Sequence, residues 1–146
     1  MTIRTVALVL GIVYVALGIF GFVPPLRSEV PNPAPDVGML ALYGYLLGFF
    51  PVNFILNLAH LASGAWGIAA SRTTGGSRAY TRTMAVVYAI LAIAGMIPEI
   101  NTLFGIAPLQ GHNVWLHGLT AIAAGFFGFI WVTATGALRS RRASAH

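Results

Sequence analysis

Two histidines, two tyrosines and a few amides are the side chains that can do chemistry in this chain of 146 residues. Asn53, Asn57, His60, Gly64, Gly67 and Ser71 follow one another at intervals of 4, 3, 4, 3 and 4, which puts them on one stripe of a helix. His117, Thr120, Ala121, Ala124, Gly125 and Gly128 form a similar stripe further on. Neutral imidazoles can ligate a metal or a haem iron, and a histidine with a carboxylate partner can relay protons. The bland reading is that imidazoles and amides hydrogen-bond between helices and hold a bundle together.

The surroundings of these residues are apolar. Hydrophobic residues make up 58% of the sequence, charged residues 8%, and the mean hydropathy is +0.83. Soluble domains carry about 25% charged residues, so the composition is that of a membrane protein. The aromatic and branched content excludes disorder, and the lack of cysteine excludes disulfides and thiolate chemistry. The net charge of +5 does not point to nucleic acid, because the arginines sit at the ends of apolar runs and form no basic stripe. The partner they imply is the lipid headgroup layer.

A span needs roughly 20 mostly apolar residues. Four stretches are predicted to cross, at 5–23, 52–71, 80–97 and 113–138. The first stops at Pro24-Pro25 and is too long in its apolar run for a cleaved leader, so it reads as a retained anchor. The second closes at Arg72 with Thr-Thr-Gly-Gly as a breaker. In the third, Arg82 snorkels to the interface. The fourth has Asn113 as its expected N-cap and ends at Arg139, followed by a basic tail, 139–146.

With the N-terminus inside, seven of the eight arginines fall on the cytoplasmic side, and only Arg27 falls outside with Glu29, Asp36 and Glu99. That asymmetry places both termini on the cytoplasmic side of the membrane. The extracytoplasmic connection 24–51 is a proline-rich strap followed by Gly38 to Phe50, too short to span. The latter is expected to be interfacial or re-entrant, with Tyr43, Tyr45, Phe49 and Phe50 at the headgroup boundary.

An internal repeat relates the halves: Arg4-Thr5-Val6-Ala7 opens the first span and Arg82-Thr83-Met84-Ala85 the third, Tyr14 pairs with Tyr88, and Gly21 with Gly95. The expected architecture is therefore an all-α four-helix bundle of two similar helical hairpins. Helices 2 and 4 are expected to cross closely at Gly64, Gly67, Gly125 and Gly128. His60 lies nine positions past Pro51, about 13 Å inward, and His117 four past Asn113, about 6 Å. His60, Asn57 and His117 are then expected to cluster, with Tyr14 and Tyr88 beneath them and Glu99 above at the mouth, as a site for a small ligand or a metal ion.

The cofactor is left unknown. Haem conflicts with the stagger of the two histidines, and zinc lacks its usual three or four protein ligands. Copper has Met39 and Met96 within the sequence but no supporting motif. No nucleophile and base pairing, paired buried carboxylates, phosphate loop or dinucleotide fingerprint occurs, which weighs against an enzyme. The alternative is an accessory or structural subunit that meets another membrane protein or a second copy of itself through Gly11, Gly18 and Gly21 of the first helix.

In the run Phe50-Pro51-Val52-Asn53-Phe54-Ile55-Leu56-Asn57-Leu58-Ala59-His60-Leu61, in Gly64-Ala65-Trp66-Gly67, and in Leu103 to Leu109 with Gly111-His112-Asn113-Val114-Trp115-Leu116-His117, the chain resembles a family of small bacterial membrane proteins known as domain of unknown function 4383. The resemblance implies four spans with His60, Asn57 and His117 at motif positions, and implies no activity. Leu56 stands where many members have histidine, and Asn113 where they have aspartate, so a metal site built on those groups would be depleted in this chain.

Overall fold

The computed structural model describes residues 2–30 and 37–131. It is mostly helical. Helix α1 spans Ile3–Phe22, α2 Phe54–Ala70, α3 Thr74–Met96 and α4 His112–Gly125, the last running on as a π-helical turn over Phe126–Trp131. Three of these helices, α1, α3 and α4 with its extension, are long and apolar enough to cross a membrane, while α2 is apolar but has 17 residues. Residues 132–146, which include the predicted end of the fourth span and the basic tail, lie outside the described residues.

Local capping explains the helix starts. Thr2 Oγ1 accepts from Thr5 N at 3.2 Å, and Asn53 Oδ1 accepts from Leu56 N at 2.9 Å, each satisfying one of the amides left over in a first turn. Helix α3 begins six positions before the predicted start at 80. The Thr-Thr-Gly-Gly breaker is instead a cap: Thr73 Oγ1 accepts from Gly76 N at 3.0 Å, and the two glycines form the first turn. Asn113 is not the cap of α4. Gly111 holds that position with φ 66°, a left-handed conformation cheap only without a Cβ, which leaves the Asn113 amide for another task.

Helix α1 packs mainly on α2, and α3 on α4. The expected close crossing of α2 with α4 is therefore corrected. A Cβ on Gly64 would lie 2.7 Å from Gly11 O, and one on Gly67 would meet Gly11 Cα at 2.9 Å and the Tyr80 hydroxyl at 2.7 Å. Gly125 faces the methyl of Ala85, and Gly128 faces Thr81 Oγ1. Small residues permit a close neighbour without naming it, and α1 offers the matching surface: Gly11, Gly18 and Gly21 are filled by the Gly64–Ile68 backbone, Leu61 and Asn57. These three glycines are used inside the chain, so they no longer argue for an outside partner.

The connection between α1 and α2 is not purely irregular, and the chain is not wholly α. Strands β1 (Arg27–Ser28), β2 (Gly44–Leu46) and β3 (Phe50–Val52) form an antiparallel sheet in the order β1-β2-β3. Arg27 pairs with Leu46, and Leu46 also pairs with Phe50 across a turn in which Leu47 and Gly48 both have positive φ. Strands of two or three residues leave no alternating pattern to read. The loop 97–111 docks on this sheet region through Met39 N to Gly105 O at 2.9 Å.

Two asparagines join the halves at this sheet end. Asn53 Nδ2 donates to Met39 O at 3.2 Å and Ile106 O at 2.8 Å; Asn113 Nδ2 donates to Pro51 O at 2.6 Å and Pro108 O at 2.7 Å. Each amide thus bridges one carbonyl of its own half and one of the other. At the opposite end, Arg4 Nε donates to Ser71 O at 2.8 Å and Arg82 Nε to Gly128 O at 3.0 Å, the first a cation at the C-terminal end of α2, where helix carbonyls attract positive charge.

Candidate functional site

Four rings meet in the interior: Tyr14 from α1, His60 from α2, Tyr88 from α3 and His117 from α4. Their relative exposures are 0%, 2%, 5% and 0%, so neither imidazole faces the outside of the bundle. The inward stripes explain the meeting, since exposed apolar residues such as Ile12, Ile19, Ile90, Ile93, Leu119 and Ile122 occupy the other faces of α1, α3 and α4.

The rings meet in pairs. Tyr14 contacts His60 of α2 with ring centroids 5.3 Å apart and planes tilted by 59°, and Tyr88 meets His117 of α4 edge-on at 5.2 Å. Between halves, Tyr14 meets Tyr88 at 4.9 Å, and His60 faces His117 at 6.4 Å. The hydroxyls cross over: Tyr14 bonds Thr120 of α4 at 2.7 Å, and Tyr88 bonds Ser63 of α2 at 3.1 Å. Ser63 Oγ also donates to His60 O at 3.1 Å, so its single proton is committed and Tyr88 is the donor in their bond.

The phenols are thereby satisfied and the imidazoles are not. Nδ1 and Nε2 of both His60 and His117 are buried with no hydrogen-bond partner among the described residues. Asn57, one turn before His60, is likewise buried with neither amide atom bonded, its side chain pressed against Gly21 of α1. A buried polar group without a partner costs roughly 1–3 kcal/mol, and hydrocarbon supplies no water to relieve it. The arrangement can hold something small that accepts and donates hydrogen bonds between the two rings.

Glu99 stands apart from this cluster. It is exposed on the loop after α3, where it lines an open cavity of about 510 Å³ with Gly38, Asn101, Thr102, Phe104 and Gly105. No group of three or more His, Cys, Asp or Glu gathers anywhere among the described residues. A metal ion at His60 and His117 would have only those two side chains, fewer than the three protein ligands of open zinc sites.

The sequence reading missed the partners of the rings. Ser63 and Thr120 each stand three positions after a histidine, and that shared His-x-x-hydroxyl spacing was the available signal. Tyr80, fully buried against Trp66 at 5.1 Å with its hydroxyl unbonded among the described residues, had none. The family model described as Domain of unknown function (DUF4383) matches residues 4–130. No curated protein and no solved structure matches the chain.

Proposed function

The chain belongs to the DUF4383 family, and from that premise we propose that it is a membrane protein that binds a small, uncharged, hydrogen-bonding ligand between His60 and His117. The observation that carries this reading is the set of four buried imidazole nitrogens with no partner among the described residues. Two neutral imidazoles offer two donors and two acceptors. An ion held there by two neutral rings, with no carboxylate beside them, would bring uncompensated charge into a low dielectric, which favours an uncharged ligand over a metal.

In this reading all four helices cross a bacterial inner membrane, α2 making up its length with the β3 residues before it, and the N- and C-termini are cytoplasmic. The support is the separation of Arg4, Arg72, Arg78 and Arg82 at one end from Arg27, Glu29 and Glu99 at the sheet end. The two hairpins are related as repeats. The crossed hydroxyl bonds of Tyr14 and Tyr88 and the parallel roles of Arg4 and Arg82 support that relation.

Native mass spectrometry of the protein in a mild detergent, with metal analysis of the same sample, tests the site. A bound mass present in the wild type and lost in both His60→Phe and His117→Phe is expected. A wild-type mass equal to that of the bare chain overturns ligand binding, and one equivalent of metal lost in both variants replaces the uncharged ligand with an ion.

A further inference from the structure

The arginine end of α3 carries a second feature, independent of the histidines. Arg78 and Arg82 are both exposed and lie one turn apart. Arg82 and Arg78 stand 14 and 18 positions before Met96, about 21 and 27 Å along the axis, and so toward the arginine-side boundary of the roughly 30 Å of hydrocarbon that a spanning helix crosses. The Arg82 guanidinium is fixed: Nε donates to Gly128 O at 3.0 Å, and the group lies 5.0 Å from the centroid of Phe129. Neither contact uses the two terminal nitrogens of the planar fork, and the residue is exposed.

No carboxylate among the described residues is near to receive them. Among the described residues the acids are Glu29 and Glu99, both at the sheet end. Beyond Arg82 on the same exposed face of α3 come Val86, Ile90 and Ile93, which are 54%, 60% and 55% exposed. A pair of cations at the membrane boundary continued by an apolar stripe matches a phosphate joined to acyl chains, by charge and by polarity together.

We propose that this face of α3 seats one anionic phospholipid, its phosphate held by Arg78 and Arg82 and its acyl chains lying along Val86, Ile90 and Ile93. Arg82 is the pre-positioned contact, because Gly128 and Phe129 of the π-helical turn hold its guanidinium in place.

The full-length protein in detergent is titrated with phosphatidylglycerol or phosphatidylcholine of identical acyl chains, and retained lipid is counted by native mass spectrometry. One phosphatidylglycerol retained in preference to phosphatidylcholine is expected. Retention falls about fivefold in Arg78→Gln and again in Arg82→Gln, and is unchanged in Arg72→Gln, which alters an exposed arginine of the turn between α2 and α3. Should Arg82→Gln fail to fold, Arg78→Gln decides the matter alone. Equal retention of the two lipids overturns the proposal, as does an Arg72→Gln variant as impaired as Arg78→Gln.

Discussion

Tyr14 and Tyr88 stand 4.9 Å apart at 67°, and each sends its hydroxyl into the half of the molecule to which it does not belong. The exchange links all four helices at one level, because Thr120 lies on α4 and Ser63 on α2. Neither phenol bonds the imidazole beside it, so at this level the groups without a partner among the described residues are the histidine nitrogens and not the hydroxyls of Tyr14 and Tyr88.

The tyrosines are therefore separable by conservative substitution. Tyr14→Phe loses the 2.7 Å bond to Thr120 and is expected to lower stability by about 0.6 kcal/mol, the usual scale for a bond between helices in a membrane. Tyr80→Phe deletes a buried hydroxyl that bonds to nothing among the described residues and is expected to be neutral or stabilising. Thermal unfolding in one detergent compares them.

A ligand shared by both rings makes His60 and His117 act as a unit. His60→Phe, His117→Phe and the double variant should then unfold at nearly the same lowered temperature, since any one of them releases the ligand. Strictly additive losses would speak for two unrelated side chains.

The asparagine bridges at the sheet end differ in a testable way. Asn113→Ala leaves two buried carbonyls without their donor, at roughly 1–3 kcal/mol. Asn53→Ala frees the part-buried carbonyls of Met39 and Ile106 and also removes the acceptor for Leu56 N, a helix cap worth about 1 kcal/mol. A chemical denaturation series should find Asn53→Ser, which keeps a capping oxygen, less damaging than Asn53→Ala, and equal losses would deny Asn53 its double role.

Glycines divide by what a methyl would strike. In Gly11→Ala the new carbon falls 2.6 Å from Ile68 N and 2.9 Å from Gly64 O, both rigid backbone, so α1 and α2 must separate at a cost of about 1–3 kcal/mol. Gly75→Ala meets nothing within 4 Å and should gain up to about 1 kcal/mol from helix propensity. Melting temperatures that move in the same direction for both would contradict the packing described.

Much of this molecule was legible because hydrophobic periodicity and span length act locally. The four helices and the inward stripes bearing His60, His117, Tyr14 and Tyr88 follow from residue types at fixed spacings. Whether Gly64 approaches α1 or α4 does not, since a glycine accepts any neighbour and the choice rests on the matching surface of Gly11. The start of α3 was hidden because Gly75-Gly76 looks like a break until the hydroxyl of Thr73 is seen to cap it. Glu99 could not be placed for want of a repeating register beyond Pro98, and the sheet was invisible because its strands are shorter than the pattern that reveals a strand.

The contact of Gly67 with Tyr80 has a bearing on traffic to the rings. It ties α2 to α3 on the arginine side of the histidines, just as Asn53 and Asn113 tie the two halves on the other. A core fastened above and below the rings cannot gape like a hinge, so under the proposed function a ligand would enter sideways between helices, with entry governed by the bulk of the residues at the seams and hardly at all by rocking of one half against the other.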